Sequence, residues 1–231
     1  MKRLVLFVEG EGEADAVPAL VRRLLSEKGD WSGLLLDDHP FRVGSVEKLV
    51  KNDHREWNRF LGASLKRSEL GGVLLILDGD AERVGGKPFC AAQVARSLAD
   101  AAAQVGAGHT FSVAVVFARQ EFESWLIAGM TSLSGRSLPD GRRINALAKA
   151  PDGDLERSPR DAKGWIGSLV EGGYKPTRDQ AALTRLVDLD AIRARGLRSF
   201  RRLESALSAL VEAIRSNRPI ASPPGPAGSG G

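Results

Sequence analysis

The chain has 231 residues, with 33 Lys and Arg against 29 Asp and Glu, and a formal charge of +4. Hydrophobic residues make up 42% and charged residues 27%, a globular profile that excludes wholesale disorder, collagen-like and coiled-coil chains. A single cysteine, Cys90, can form neither an internal disulfide nor a cysteine-based zinc site, which favours a reducing compartment. No apolar run approaches the ~20 residues that span a bilayer. Glu9 limits the first apolar stretch, Leu4 to Val8, to five residues. That is short of the ~7–15 of a signal-peptide core, so the expectation is a soluble cytoplasmic protein without a membrane partner.

Leu4 to Val8 predicts a buried strand, because it is continuously apolar rather than alternating. Gly10 and Gly12 interrupt it. From Ala14 to Leu25 the apolar residues Val17, Leu20, Val21, Leu24 and Leu25 recur at helical spacing. Leu34–Leu36 and Phe41–Val43 are short strand candidates. Val46 to Leu65 predicts a helix with Leu49, Val50, Trp57, Phe60 and Leu61 on its apolar side. Gly71-Gly72 reads as a break before a second apolar strand, Val73 to Leu77, which runs into Asp78-Gly79-Asp80. An Ala-rich helix over Ala91–Val105, a third strand over Phe111–Phe117 and a helix beginning near Glu121 follow. Alternating strands and helices predict an α/β fold with a mostly parallel sheet flanked by helices.

Beyond Ser132 the pattern becomes helical, with stretches near Arg142–Ala150, Ala162–Val170, Arg178–Val187 and Ser199–Arg215 and no convincing strand. The expected organisation is an α/β core over 1–131, a helical C-terminal extension over 132–218 and a disordered tail over 219–231, where Pro, Gly and Ser dominate.

The chemistry lies where the strands end. Ligands of open α/β sheets bind outside the carboxyl ends of the strands. The first strand runs into Glu9, with Glu13 four residues on; the second into Asp78 and Asp80; the third is followed by Glu121 and Glu123. Taken singly, several have ordinary explanations: Glu13 and Glu121 suit a helix first turn, and Asp-Gly-Asp suits a turn. Glu9 does not, because a bare charge straight after a buried strand is costly unless it faces something. If the three strands are parallel neighbours, these carboxylates gather at one sheet edge, repel one another and push their pKa values up. Hard oxygen donors without cysteine point to one or two Mg²⁺ or Mn²⁺ ions.

Two blocks, Val8-Glu9-Gly10-Glu11-Gly12-Glu13 and Leu75-Ile76-Leu77-Asp78-Gly79-Asp80, resemble the Toprim signature of a strand ending in Glu-Gly and a later strand ending in Asp-x-Asp. Glu13, and the acidic cluster Glu121-Phe122-Glu123, are similar to the variant found in overcoming-lysogenization-defect (OLD) nucleases. The chain as a whole, including Tyr174-Lys175 and Ser199-Phe200, resembles a family of small stand-alone bacterial Toprim-like proteins classed as a domain of unknown function. The resemblance implies that Glu9 is a metal ligand and general acid/base, and that Asp78 and Asp80 hold a divalent ion. It implies that Glu13 with Glu121 or Glu123 completes a second metal position, and that Lys175 stabilises charge on a phosphate. It also implies a nuclease acting on DNA or RNA, with an ATPase partner and a bacterial defence role. The only tyrosine, Tyr174, lies in the helical extension, so a topoisomerase-like covalent link is not expected.

Arg193, Arg195, Arg198, Arg201 and Arg202 form a basic run, preceded by Lys163, Lys175 and Arg178; such a run either contacts phosphates or is a solvated helix face. Gly10-x-Gly12 is not a dinucleotide fingerprint, because Asp15 stands where a small residue is needed beside pyrophosphate. Asp78-x-Asp80 also suits a metal-dependent phosphatase or nucleotidyltransferase, a reading that leaves Glu9 and Glu13 unexplained. The competing non-enzymatic reading is a Toprim-like regulatory or scaffold subunit. Convergence of Glu9, Glu13, Asp78, Asp80 and Glu121 or Glu123 is what separates the two.

Overall fold

A computed structural model describes residues 1–27, 29, 33–147 and 152–223. The strands are β1 (Lys2–Val8), β2 (Leu34–Leu36), β3 (Phe41–Arg42), β4 (Leu70–Asp78), β5 (Arg83–Val84), β6 (Lys87–Pro88), β7 (Ser112–Ala118) and β8 (Ala221–Ser222). The helices are α1 (Glu11–Glu27), α2 (Val46–Ser64), α3 (Ala91–Gln104), α4 (Glu123–Ala128), α5 (Ala162–Leu169), α6 (Ala181–Leu186), α7 (Leu189–Ala194) and α8 (Arg198–Ser216). The main sheet has the order β2-β1-β4-β7-β8, with β3 also on β1, and every pairing in it is parallel. β5 and β6 form a separate antiparallel hairpin.

The continuous apolar strands follow from burial on both faces. Leu4, Leu6, Val8, Leu74, Ile76, Ala114 and Val116 share one hydrophobic cluster with α1 and the C-terminal helices. Val5, Phe7, Val73, Leu75, Leu77, Val113, Val115 and Phe117 share the other with α2 and α3. The helices after residue 132 therefore do not stand apart from the sheet: Phe200, Leu203, Leu207 and Leu210 of α8 lie in the same cluster as α1.

Four local expectations change. Gly71 and Gly72 lie inside β4 rather than before it, because Ile214 of α8 packs on them: a Cβ at Gly72 would stand 3.2 Å from Ile214 Cδ1. The helix over 46–65 is broken at Lys51–His54, where Asn52, Asp53 and His54 take φ of 51°, 50° and 61°. The break turns the second half onto α3, where the buried Trp57 donates its indole N–H to the Leu98 carbonyl at 2.8 Å. Arg142–Leu147 is not helical; Ile144 instead bridges Val170, and the rest of that expected helix falls outside the described residues. Within the segment expected to be unstructured, Ala221–Ser222 pairs with β7 and covers an otherwise open sheet edge.

The turn Pro176–Gln180, between α5 and α6, is pinned by Asp179, which is 1% exposed. Burial opposes its ionisation, but Arg178, Arg142 and the Lys175 N–H all donate to it and hold its pKa at about 2. A depressed carboxylate stabilises the fold above its unfolded pKa and loses that contribution as pH falls through the folded value. Asp179→Asn is accordingly expected to cost about 2 kcal/mol at pH 7 and to flatten stability between about pH 4 and 2, as read by urea unfolding at a series of pH values.

Candidate functional site

β1, β4 and β7 are adjacent and parallel, with Val8 opposite Ile76 and Asp78 opposite Ala118. Their carboxyl ends therefore finish side by side, and the acidic residues that follow them come together. The Glu9 carbonyl accepts from Gly44 N–H at 3.1 Å, which anchors its backbone beside β3. Its Oε2 accepts from the Asp78 N–H at 3.2 Å, joining the first strand end to the second. Asp78 Oδ1 in turn accepts from Phe122 N–H at 2.8 Å, joining the second to the third.

Between them, the Gly79 N–H donates to both the Ala118 and Gln120 carbonyls at 2.8 Å. Gln120 takes φ of 65°, in the left-handed region that a side chain disfavours, and this turn folds Glu121 and Glu123 back over the strand ends. Asp80 is exposed at the rim.

The acids perturb one another. Burial, then the neighbouring Asp80 and Glu13, push the Glu9 pKa up to about 6 against the pull of the Asp78 N–H. Burial and the charges of Glu123, Glu13 and Glu9 push Asp78 well above the usual carboxylate range. Glu123, which is 0% exposed, is also raised by burial, although Lys163 and Tyr174 oppose the shift.

Glu13 is tied down at both oxygens. Its Oε2 accepts from Gly10 N–H at 2.9 Å and its Oε1 from Gln180 Nε2 at 3.2 Å. The Glu-Gly-Glu-Gly-Glu run thus has a packing reason. α1 begins at Glu11, and a Cβ at Gly12 would stand 2.4 Å from Gln180 Oε1 and 2.8 Å from Pro176 Cβ. Gly12→Ala is expected to lose up to about 2 kcal/mol net, because a clash of roughly 1–3 kcal/mol opposes a helix-propensity gain of about 1. Thermal melting checks the loss.

Lys163, grouped by sequence with the basic residues, is the cation that meets this cluster. Its Nζ lies 2.9 Å from Glu121 Oε1 and 3.9 Å from Glu123 Oε2. Burial lowers its pKa, but Glu123 and Glu121 outweigh that and raise it to about 12. It sits at the start of α5, which Asp161 caps by accepting from Gly164 N–H at 2.8 Å. Tyr174 donates its hydroxyl to Glu123 Oε1 at 2.9 Å. Lys163, Tyr174 and Gln180 were invisible as site residues because their elements reach the cluster only through the packing of the C-terminal helices.

Lys175 is exposed; its backbone N–H binds Asp179, and among the described residues no carboxylate pairs with its ammonium. The basic run divides: Arg193 is held by Glu27, Asp190 and Glu204, whereas Arg198 and Arg202 face a cavity.

Among the described residues no group of three or more His, Cys, Asp or Glu side chains is arranged to hold a metal ion as it stands. The donor chemistry nevertheless suits a hard divalent cation. The acids offer oxygens alone, and among the described residues the buried Oε2 atoms of Glu121 and Glu123 have no hydrogen-bond partner.

No helix among the described residues is long and apolar enough to cross a membrane. Among known families, the model of a domain of unknown function, DUF4276, matches residues 8–208. No curated protein and no solved structure matches the chain.

Proposed function

The chain belongs to the DUF4276 family, and from its carboxylate cluster we infer that it is a divalent-cation-dependent phosphodiester hydrolase acting on DNA or RNA, with a core of the Toprim type. The observation that carries this reading is the meeting of Glu9, Asp78 and Glu123 at three adjacent strand ends, with buried carboxylate oxygens of Glu121 and Glu123 that accept no hydrogen bond among the described residues. A structural role needs no such concentration of carboxylates around a single lysine, whereas metal-assisted hydrolysis does.

In this reading Glu9, Asp78 and Asp80 hold one Mg²⁺ or Mn²⁺, and Glu13 with Glu121 or Glu123 serves a second. Such ions, when bound, would supply water activation and neutralise charge on the phosphate oxygens. The chain's own contribution is positioning and proton exchange. Backbone N–H groups of Asp78 and Phe122 fix the Glu9 and Asp78 carboxylates. A Glu9 carboxyl that titrates near 6 can take or return a proton at neutral pH. Lys163 stands beside the acids as a cation for a developing charge, and Lys175 at the Pro176 turn would meet the phosphate backbone. A cytoplasmic location belongs to the same reading, with Cys90 free and exposed. So do an ATPase partner and a defence role, through the nuclease resemblance.

The competing scaffold reading draws on the internal satisfaction of the cluster by Lys163, Tyr174 and Gln180. An assay on plasmid DNA, single-stranded DNA and RNA with Mg²⁺ or Mn²⁺ separates the two. EDTA and a Glu9→Gln/Asp78→Asn double variant serve as controls. Metal-dependent cutting lost in the variant supports hydrolysis; neither cutting nor metal binding by calorimetry supports the scaffold.

A further inference from the structure

A cavity of about 580 Å³ opens on the other side of the Asp78-Gly79-Asp80 turn, with Gly79 in its wall. It lies between the start of α3 and the start of α8, and its volume is that of a small-ligand site. Its charge is one-sided. Arg96, Arg119, Arg198 and Arg202 line it, against the single carboxylate of Glu156, whose Oε1 already accepts from Ser199 N–H at 2.6 Å.

Among the described residues none of these four arginines has a carboxylate within ion-pair distance, in contrast to the triply paired Arg193 of the same run. Arg202 is half-buried and reaches only neutral acceptors, Ser222 Oγ at 3.0 Å and the Val115 carbonyl at 3.4 Å. Burial lowers its guanidinium pKa with no anion to offset it. Four cations gathered around a cavity against one carboxylate, none of them in an ion pair among the described residues, leave room for an anion.

The remaining wall is apolar. Phe89 and Phe117 stand edge to face with ring centroids 5.3 Å apart, next to Val115 and Ala95. Inorganic phosphate would leave that wall uncovered. A ligand with a planar apolar body and an anionic end fits both parts.

We propose that this cavity seats one nucleotide of the substrate, its phosphate on Arg96, Arg119 and Arg198 and its base against Phe89 and Phe117. The proposal rests on the phosphodiester reading of the adjoining acids and names where the strand lies: one residue away from the hydrolytic cluster, across the Gly79 turn. The phosphate is recognised by charge and the base by its face, so the seat is tolerant of sequence.

The test is calorimetric titration of the full chain with adenosine 5′-monophosphate in EDTA at low salt, where no cutting occurs. Inorganic phosphate and adenosine are the comparison ligands. The nucleotide is expected to bind at least about tenfold more tightly than either. Arg96→Glu/Arg198→Glu should weaken it by about tenfold or more, and Phe89→Ala should erase its advantage over phosphate. Both arginines are exposed, and a glutamate at the first position of α8 suits the helix dipole, so the fold should persist; Arg201→Glu, exposed on the same helix outside the cavity, is the charge control.

Equal binding of nucleotide and phosphate, or unchanged binding in the double arginine variant, overturns the seat. Nucleotide binding lost in that variant, in a chain that cuts nothing with any metal, keeps the seat and removes the hydrolase. Cutting with an unaltered KM and unaltered nucleotide binding in the variant removes the seat and keeps the hydrolase.

Discussion

Glu9→Gln and Asp78→Asn are each expected to lower metal-dependent cleavage by about 10³-fold or more while raising the melting temperature measured in EDTA at pH 8. The loss follows from removing a charged ligand that supplies several kcal/mol to the transition state, at about 1.4 kcal/mol per tenfold in rate. The gain follows from linkage. A carboxyl whose folded pKa is raised binds its proton more tightly in the folded state, so stability falls as pH rises from the unfolded value to the folded one. For Glu9 that window runs from 4.5 to about 6, and above it the ionised group costs the fold up to about 2 kcal/mol.

Both amide replacements keep an acceptor oxygen for the N–H groups of Asp78 and Phe122, so the charge goes and the hydrogen bonds stay. Differential scanning calorimetry in EDTA across pH 5–8 should show the variants gaining most at the alkaline end. Added Mg²⁺ or Mn²⁺ should raise the melting temperature of the parent chain and leave the variants nearly unmoved. A carboxylate serving only the fold would give the opposite sign, lost stability on amidation, and that result would sink the metal-site reading.

Lys163→Met is expected to destabilise the chain by about 2 kcal/mol in EDTA at pH 8, with much of the loss recovered on adding Mn²⁺. Breaking a fully buried ion pair costs roughly 3–5 kcal/mol, because the partner is left as an uncompensated charge. Lys163 is 41% exposed while Glu123 is fully buried, so solvent screening reduces the figure on one side only. Methionine keeps the aliphatic stem on α5 and removes the charge alone. The penalty should shrink as pH is lowered, because Glu123, already raised by burial, then takes up a proton. Urea unfolding with and without Mn²⁺ at pH 8 and pH 5 reads all of this. A change below about 0.5 kcal/mol, insensitive to metal, would make Lys163 an ordinary surface pair.

The two predictions concern residues of unequal legibility. Glu9, Asp78 and the Glu121–Glu123 pair stand out in the chain because each follows an apolar run too continuous to be anything but a doubly covered strand. Parallel strands all end at one edge, so a period-free apolar run followed by an acid already locates that acid. Lys163 carries no such mark, since a lysine at the start of a helix is usually solvated. Its role depends on α5 crossing back to α4, which nothing in residues 132–161 announces. The break in α2 was hidden for a related reason. The apolar spacing of Leu49, Trp57, Phe60 and Leu61 suits a continuous helix, and only the site that Trp57 fills on α3 shows why the backbone turns at Asn52–His54.

The fold class, the three central strands and the acids at their ends can be read from the chain, because apolar runs and the residues that stop them are local properties. Strand order comes from contacts across the fold, and with it the hydrogen bonds that link Glu9 to Asp78 and Asp78 to Phe122. Tertiary packing also makes the C-terminal helices complete one face of the sheet, bringing Lys163, Tyr174 and Gln180 onto the acids and dividing the arginine run between Arg193, held by carboxylates, and Arg198 and Arg202, which line the cavity. Those outcomes depend on contacts between residues far apart in the chain, where charge and burial are set by neighbours that the local pattern does not name.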